Sequence, residues 1–176
     1  MEHQILTKEL KLEHWGPGEW VDEPDYLEFE HNGIKCKILR TVSWDGFKGD
    51  YLFGGYLCGY ICIQKDHSFY EKHYDDIDLE CHGGLTFSGI ADDGSYWIGF
   101  DCAHSMDLVP STERFMQNSR EHQEEIKKIK EQLKNSSHDF SYFFERKYRN
   151  IEYVKSECIN LVDQLLAVSS PASSPL

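Results

Sequence analysis

Asn32 and Gly33 stand between two stretches that alternate apolar and polar residues, in DYLEFEHNGIKCKILRTVSW. Both residue types tolerate positive φ, so the pair suits the two-residue turn whose twist matches that of its flanking strands. The chain is thereby committed to a hairpin, with strands over residues 25–31 and 34–43. A second such pair, Asp93-Gly94, separates the strand-like segments LTFSGI and YWIGFDCA. Between the two hairpins, Tyr60, Ile61, Cys62 and Ile63 read as a buried strand. Gly54, Gly55 and Gly59 ahead of it permit a bend or close packing. KDHSFYEKHYDDIDLE is polar and aromatic and reads as a loop with one helical turn. The expected sheet has four or five strands, antiparallel or mixed.

After Pro110 the pattern changes. Residues 111–137 are rich in helix formers, without internal glycine or proline. Ser111 or Thr112 is placed to cap the start, and Glu124 and Lys128 lie one turn apart. The apolar stripe is thin, limited to Ile126, Ile129 and Leu133, so residues 111–145 read as an exposed helical insertion. Residues 151–167 are different. Ile151, Val154, Cys158, Leu161 and Leu165 recur at helical spacing, with Val162 and Leu166 beside them, and this face should pack on the sheet. The segment WGPGEW, residues 15–20, reads as a turn between two aromatic anchors. The expected architecture is α+β, one domain over residues 1–168, with a disordered tail over 169–176 because SSPASSPL can bury nothing.

Composition narrows function mainly by exclusion. With 40% hydrophobic residues the 176-residue chain can build a core. It carries 18 basic residues against 31 acidic ones, a net charge of −13, which disfavours non-specific binding to nucleic acid or anionic lipid. No apolar run spans a bilayer, and the start lacks the basic-then-apolar order of a secretory leader. The expected location is the cytosol. Six cysteines are present with no CxxC pair, so neither disulfides nor a zinc knuckle is indicated, and buried packing is the expected role.

CHGGLTFSG, residues 81–89, and DCAHSMD, residues 101–107, flank the Asp93-Gly94 hairpin. Its outer ends adjoin, so Cys81, His82, Gly83 and Gly84 should converge on the segment from Asp101 to Asp107. Gly83-Gly84 offers a turn whose N–H groups can face an anion, or merely a tight turn. Asp101, His104 and Asp107 recur every third residue; together with His82 they form a carboxylate–imidazole set suited to a divalent metal or a general base. The plainer explanation is that the aspartates cap turns while the histidines bond to backbone, because no established ligand motif is matched. Cys81 and Cys102 are nucleophiles only if their thiols are acidified. Glu157 flanks the apolar stripe of the last helix and needs a partner if buried: a histidine, a ligand, Arg149, Lys155 or solvent. Tyr70 and Tyr74, in HSFYEKHYDD, offer rings for a cleft or for loop packing.

The segments GYICIQKDHSFYEKHYDDIDLECHGGLTFSG, WIGFDCAHSMD and YRNIEYVKSECINLVDQL resemble a family of small, uncharacterised phage and prophage proteins. The resemblance covers roughly residues 57–109 and 148–166 and is carried by HGGLT, GFDCAH and YVKSE. It implies shared polar positions at His67, Tyr70, Tyr74, Asp76, His82, Thr86, Asp101, His104, Asp107 and Glu157. It also implies an accessory, anti-defence role in the host cytosol. Three functions follow as expectations. The leading one is binding of a small, nucleotide-like ligand by His82, Gly83, Gly84, Thr86, Asp101, His104, Asp107, Glu157, Tyr70 and Tyr74. The second is a metal-dependent hydrolase with a divalent ion on His82, Asp101, His104 and Asp107, and Glu157 as base. The third is an acidic inhibitor of a host defence protein; the chain is also a candidate homo-oligomer.

Overall fold

The computed structural model describes residues 5–44, 51–133 and 146–169. Its centre is an open five-stranded sheet built from β1 (Tyr26–His31), β2 (Ile34–Trp44), β3 (Leu52–Ile63), β4 (Phe87–Ile90) and β5 (Tyr96–Asp101), with helices around it. The spatial order is β1-β2-β3-β5-β4, and every neighbouring pair is antiparallel. Asn32 at φ 49° and Gly33 at φ 81° make the first turn, so the sequence expectation there holds in detail. Gly94 at φ 80° makes the other. The fold is thus α+β, with an all-antiparallel sheet.

The last helix, α4 (Ile151–Ser169), lies on one face of the sheet. Val154, Cys158, Leu161, Val162 and Leu165 are buried there with Ile38, Leu57, Ile61, Ile98 and Phe100. Each fully buried aliphatic side chain contributes about 1.5–3 kcal/mol. Gly59 lets the helix come close: a Cβ at that position would sit 2.6 Å from the Phe100 ring and 2.7 Å from Cys158 Sγ.

Three elements differ from the sequence expectation. A first helix, α1 (Lys8–Trp15), was not legible as one, since its buried residues are Lys11, His14 and Trp15 rather than an aliphatic stripe. Trp15 and Trp20 do anchor the intervening turn, in a second cluster with Leu6 and Leu52. The long helix expected from 111 is two helices, α2 (Pro110–Asn118) and α3 (Arg120–Leu133), parted where Ser119 is extended at ψ 108°. Ser111 does not cap α2; it lies inside the helix and its Oγ accepts from Gly54 N at 2.9 Å. The rest of the expected insertion, residues 134–145, and the tail from 170 lie outside the described residues.

A charged network joins these parts. The Arg40 side chain is 0% exposed. Its Nε donates to Asp25 at 2.7 Å, Nη1 to the Gly55 carbonyl at 2.7 Å and the Tyr148 hydroxyl at 2.8 Å, and Nη2 to Glu23 at 3.1 Å. Lys11 reaches Asp25 at 2.7 Å. The second Asp25 oxygen accepts from Leu6 N, and the second Glu23 oxygen from Ile151 N at the start of α4. Two cations meet two carboxylates, and each oxygen has a donor, which is what makes burial of such charges tolerable.

Candidate functional site

The hairpin turning at Asp93-Gly94 brings residues 81–84 and 101–107 together at one end of the sheet. β4 and β5 pair from Phe87 opposite Gly99 to Ile90 opposite Tyr96, and Thr86 N extends the ladder to Gly99 O at 2.9 Å. Beyond it the chain turns through Gly83 and Gly84, both at positive φ, closed by Gly84 N on Cys81 O at 3.0 Å. Two side chains of α4 hold the approach to that turn. Gln164 exchanges two hydrogen bonds with the Glu80 backbone, at 2.8 and 2.7 Å, and Glu157 accepts from His82 N at 2.7 Å. Seven residues, two helical turns, separate the two grips. Glu157 therefore finds its partner in backbone.

Asp107 is the centre of the cluster, with its side chain 1% exposed. One oxygen accepts from the Arg149 Nε at 2.9 Å. The other is 2.8 Å from His82 Nε2 and accepts from His104 N at 3.0 Å. Burial pushes the carboxyl up, but the bonds from His82, Arg149 and the His104 backbone outweigh it and hold the group below its ordinary range. The other ring nitrogen of His82, Nδ1, is 3.0 Å from the Tyr153 hydroxyl. Neutral His82 with its proton on Nε2 satisfies both contacts: it donates to Asp107 and accepts from Tyr153.

His104 is less well served. Its ring packs edge-on to His82, centroids 5.3 Å apart, and rests on Gly83, where a Cβ would come within 2.0 Å of it. Only glycine fits under that ring. His104 Nδ1 lies 3.4 Å from Asp107 Oδ2, within ion-pair range, yet it is buried and makes no hydrogen bond among the described residues. An unsatisfied buried polar atom costs about 1–3 kcal/mol. One donor atom from each of His82, His104 and Asp107 falls within 4.8 Å of the others.

The other expected site residues lie elsewhere or serve other partners. Asp101 turns its carboxylate onto Ala103 N at 3.0 Å, closing its own loop. Thr86 is exposed on the approach to β4. Tyr70 packs its ring 5.4 Å from Tyr96, at the far end of β5, about 17 Å of strand from Asp101. Tyr74 bonds through its N–H to Ser88 Oγ and rests against His73. His67 meets the Leu165 carbonyl near the far end of α4, beside a cleft of about 370 Å³ lined by Ile34, Gln64, Asp66, Leu165 and Leu166. Burial pushes the Cys81 thiol up to about 12, reinforced by Glu157, and raises that of Cys102 too, so neither is a thiolate at neutral pH. Sequence reasoning passed over Tyr153. The usable signal was its place one turn before Glu157, on the same flank of α4.

No helix among the described residues is long and apolar enough to cross a membrane. Comparison of the chain with family models, curated proteins and solved structures finds no match to any of them.

Proposed function

We propose that the protein is a phage-type accessory protein whose working site is the His82–His104–Asp107 cluster, and that this site takes a divalent transition-metal ion. One observation carries the reading: two imidazoles and a carboxylate converge, while one buried imidazole nitrogen has no hydrogen bond among the described residues. Tetrahedral zinc with bonds of 2.0–2.1 Å keeps its ligand atoms about 3.3 Å apart. The His104–Asp107 separation of 3.4 Å already matches; the His82–Asp107 separation of 2.8 Å is a hydrogen bond that must open by roughly half an ångström. Imidazole donors favour Zn²⁺, Mn²⁺ or Fe²⁺ over Mg²⁺ or Ca²⁺, and two histidines with one carboxylate leave coordination positions open.

An ion held this way would polarise a bound oxygen and support hydrolysis. Glu157 has one oxygen on the His82 backbone, which makes it a positioning residue for that histidine rather than the base. Tyr70 and Tyr74 have other ring partners, so neither is placed to stack on a nucleotide-like guest at this cluster. In a phage setting, the anti-defence role we attach is capture or cleavage of a small signalling molecule.

The test is metal content of purified protein together with calorimetric titration by Zn²⁺ and Mn²⁺. One ion per chain is expected, lost in His82→Ala and in Asp107→Asn. Failure of either metal to bind at micromolar concentrations would sink the reading.

A further inference from the structure

Arg40 and Arg149 both meet buried carboxylates, but they are used differently. Every nitrogen of Arg40 has an acceptor. Arg149 gives only its Nε to Asp107, lies with its guanidinium carbon 4.7 Å from the centre of the Tyr153 ring, and is 22% exposed. Among the described residues neither Nη has a partner. The planar Nη edge of a guanidinium is suited to two oxygens of one oxyanion. Here that edge belongs to a side chain bonded directly to Asp107, in the cluster of His82 and His104.

Charge favours the same kind of guest. Asp107 and Glu157 bring two negative charges, Arg149 one positive and a divalent ion two positive, so the loaded cluster is positive by one. The chain as a whole, at −13, repels anions at long range. Anion capture must therefore come from short, directional contacts. In the turn beside His82, a Cβ built at Gly84 would meet nothing within 4 Å.

Resting on the metal reading above, we infer that the guest of the site is a phosphoryl group, held between the ion and the outer edge of Arg149. A phosphate monoester presents three terminal oxygens, so it can give one to the ion and two to the guanidinium at once. A carboxylate has two and can serve only one of these partners fully. The shared chemistry is the terminal phosphoryl group, whether of free phosphate or of a nucleotide.

The experiment uses the full chain in three stages. Manganese alone is titrated first into wild type and into Arg149→Lys, with thermal melts confirming that both fold. Inorganic phosphate, adenosine monophosphate and acetate are then titrated at saturating Mn²⁺, with ³¹P line broadening as the sign of contact with the ion. Wild type is expected to bind phosphate with broadening, and Arg149→Lys to bind it at least tenfold more weakly, since lysine keeps the charge but loses the fork. Tighter binding of adenosine monophosphate than of phosphate assigns the source to a nucleotide; equal binding assigns it to the phosphoryl group alone. Equal phosphate affinity in wild type and variant overturns the inference, as does acetate binding as tightly as phosphate. If manganese binds and phosphate does not, the inference falls and the metal reading stands. If no metal binds, the metal reading falls with it.

Discussion

The two charged clusters of this protein have similar ingredients and opposite finishes. Around Arg40, two cations and two carboxylates are sealed between α1, β2, β3 and the start of α4, and each charged group is matched. Around Asp107, the carboxylate is just as deeply buried, but among the described residues His104 Nδ1 has no hydrogen bond and the Nη edge of Arg149 no acceptor. Satisfied polar networks specify a fold; partly satisfied ones cost stability and are kept where they do something else. The first cluster therefore reads as a clasp and the second as a site.

Breaking the clasp should give the largest effect. Arg40→Ala leaves Asp25 and Glu23 buried beside Lys11 alone, a change worth about 3–5 kcal/mol. At roughly 2–4 °C per kcal/mol for a chain of this size, Tm should fall by about 6–20 °C. Chemical denaturation of the variant measures it. A loss under about 1 kcal/mol, the scale of exposed pairs, would show that the network is solvated in solution and would erase the contrast.

A middle-sized effect is expected at Tyr153, which belongs to the site yet touches no proposed guest. Its hydroxyl meets His82 Nδ1 at 3.0 Å. With an ion on Nε2, the ring proton would sit on Nδ1 and the hydroxyl would accept rather than donate, which would fix the ligating tautomer. Tyr153→Phe should weaken metal binding about 10–100-fold, as outer partners of ligating histidines typically do. Its folding stability should drop by only about 1 kcal/mol. Unchanged metal affinity together with the stability loss would make Tyr153 a structural contact and nothing more.

How much of this was readable beforehand depends on range. The Asn32-Gly33 turn and the stripe of Val154, Cys158, Leu161 and Leu165 are local signals, and the fold follows them. The convergence of His82 with His104 and Asp107 was also legible, because a hairpin of two short strands fixes where its outer ends meet. Asp101 was drawn into the same set by spacing alone, and a local bond to Ala103 N claims it instead, as short carboxylates in loops commonly do. The break at Ser119 had a quiet signal, a serine suited to start a new helix, masked by uninterrupted helix formers. The clasp was hidden: Arg40 meets Asp25, Glu23 and Tyr148, and Lys11 meets Asp25, across separations that no periodicity encodes. Tyr70 and Tyr74 show the converse, rings gathered in sequence that the fold sends to the far end and flank of the sheet.

The smallest change in stability is expected where the effect on binding is greatest. Among the described residues His104 Nδ1 is buried without a hydrogen bond, so the fold gains nothing from that nitrogen and pays for its desolvation. His104→Phe keeps a ring against His82 and over Gly83 while removing the orphan atom. Folding stability should shift by no more than about 0.5 kcal/mol, or rise, the pattern seen where function is held at the expense of stability. Metal binding should disappear in the same variant. Removing a polar group from the Arg40 cluster can produce no such result, because every group there has a partner to orphan. A loss of more than about 2 kcal/mol on His104→Phe would mean that the nitrogen is satisfied in solution, and the site would then be a second clasp.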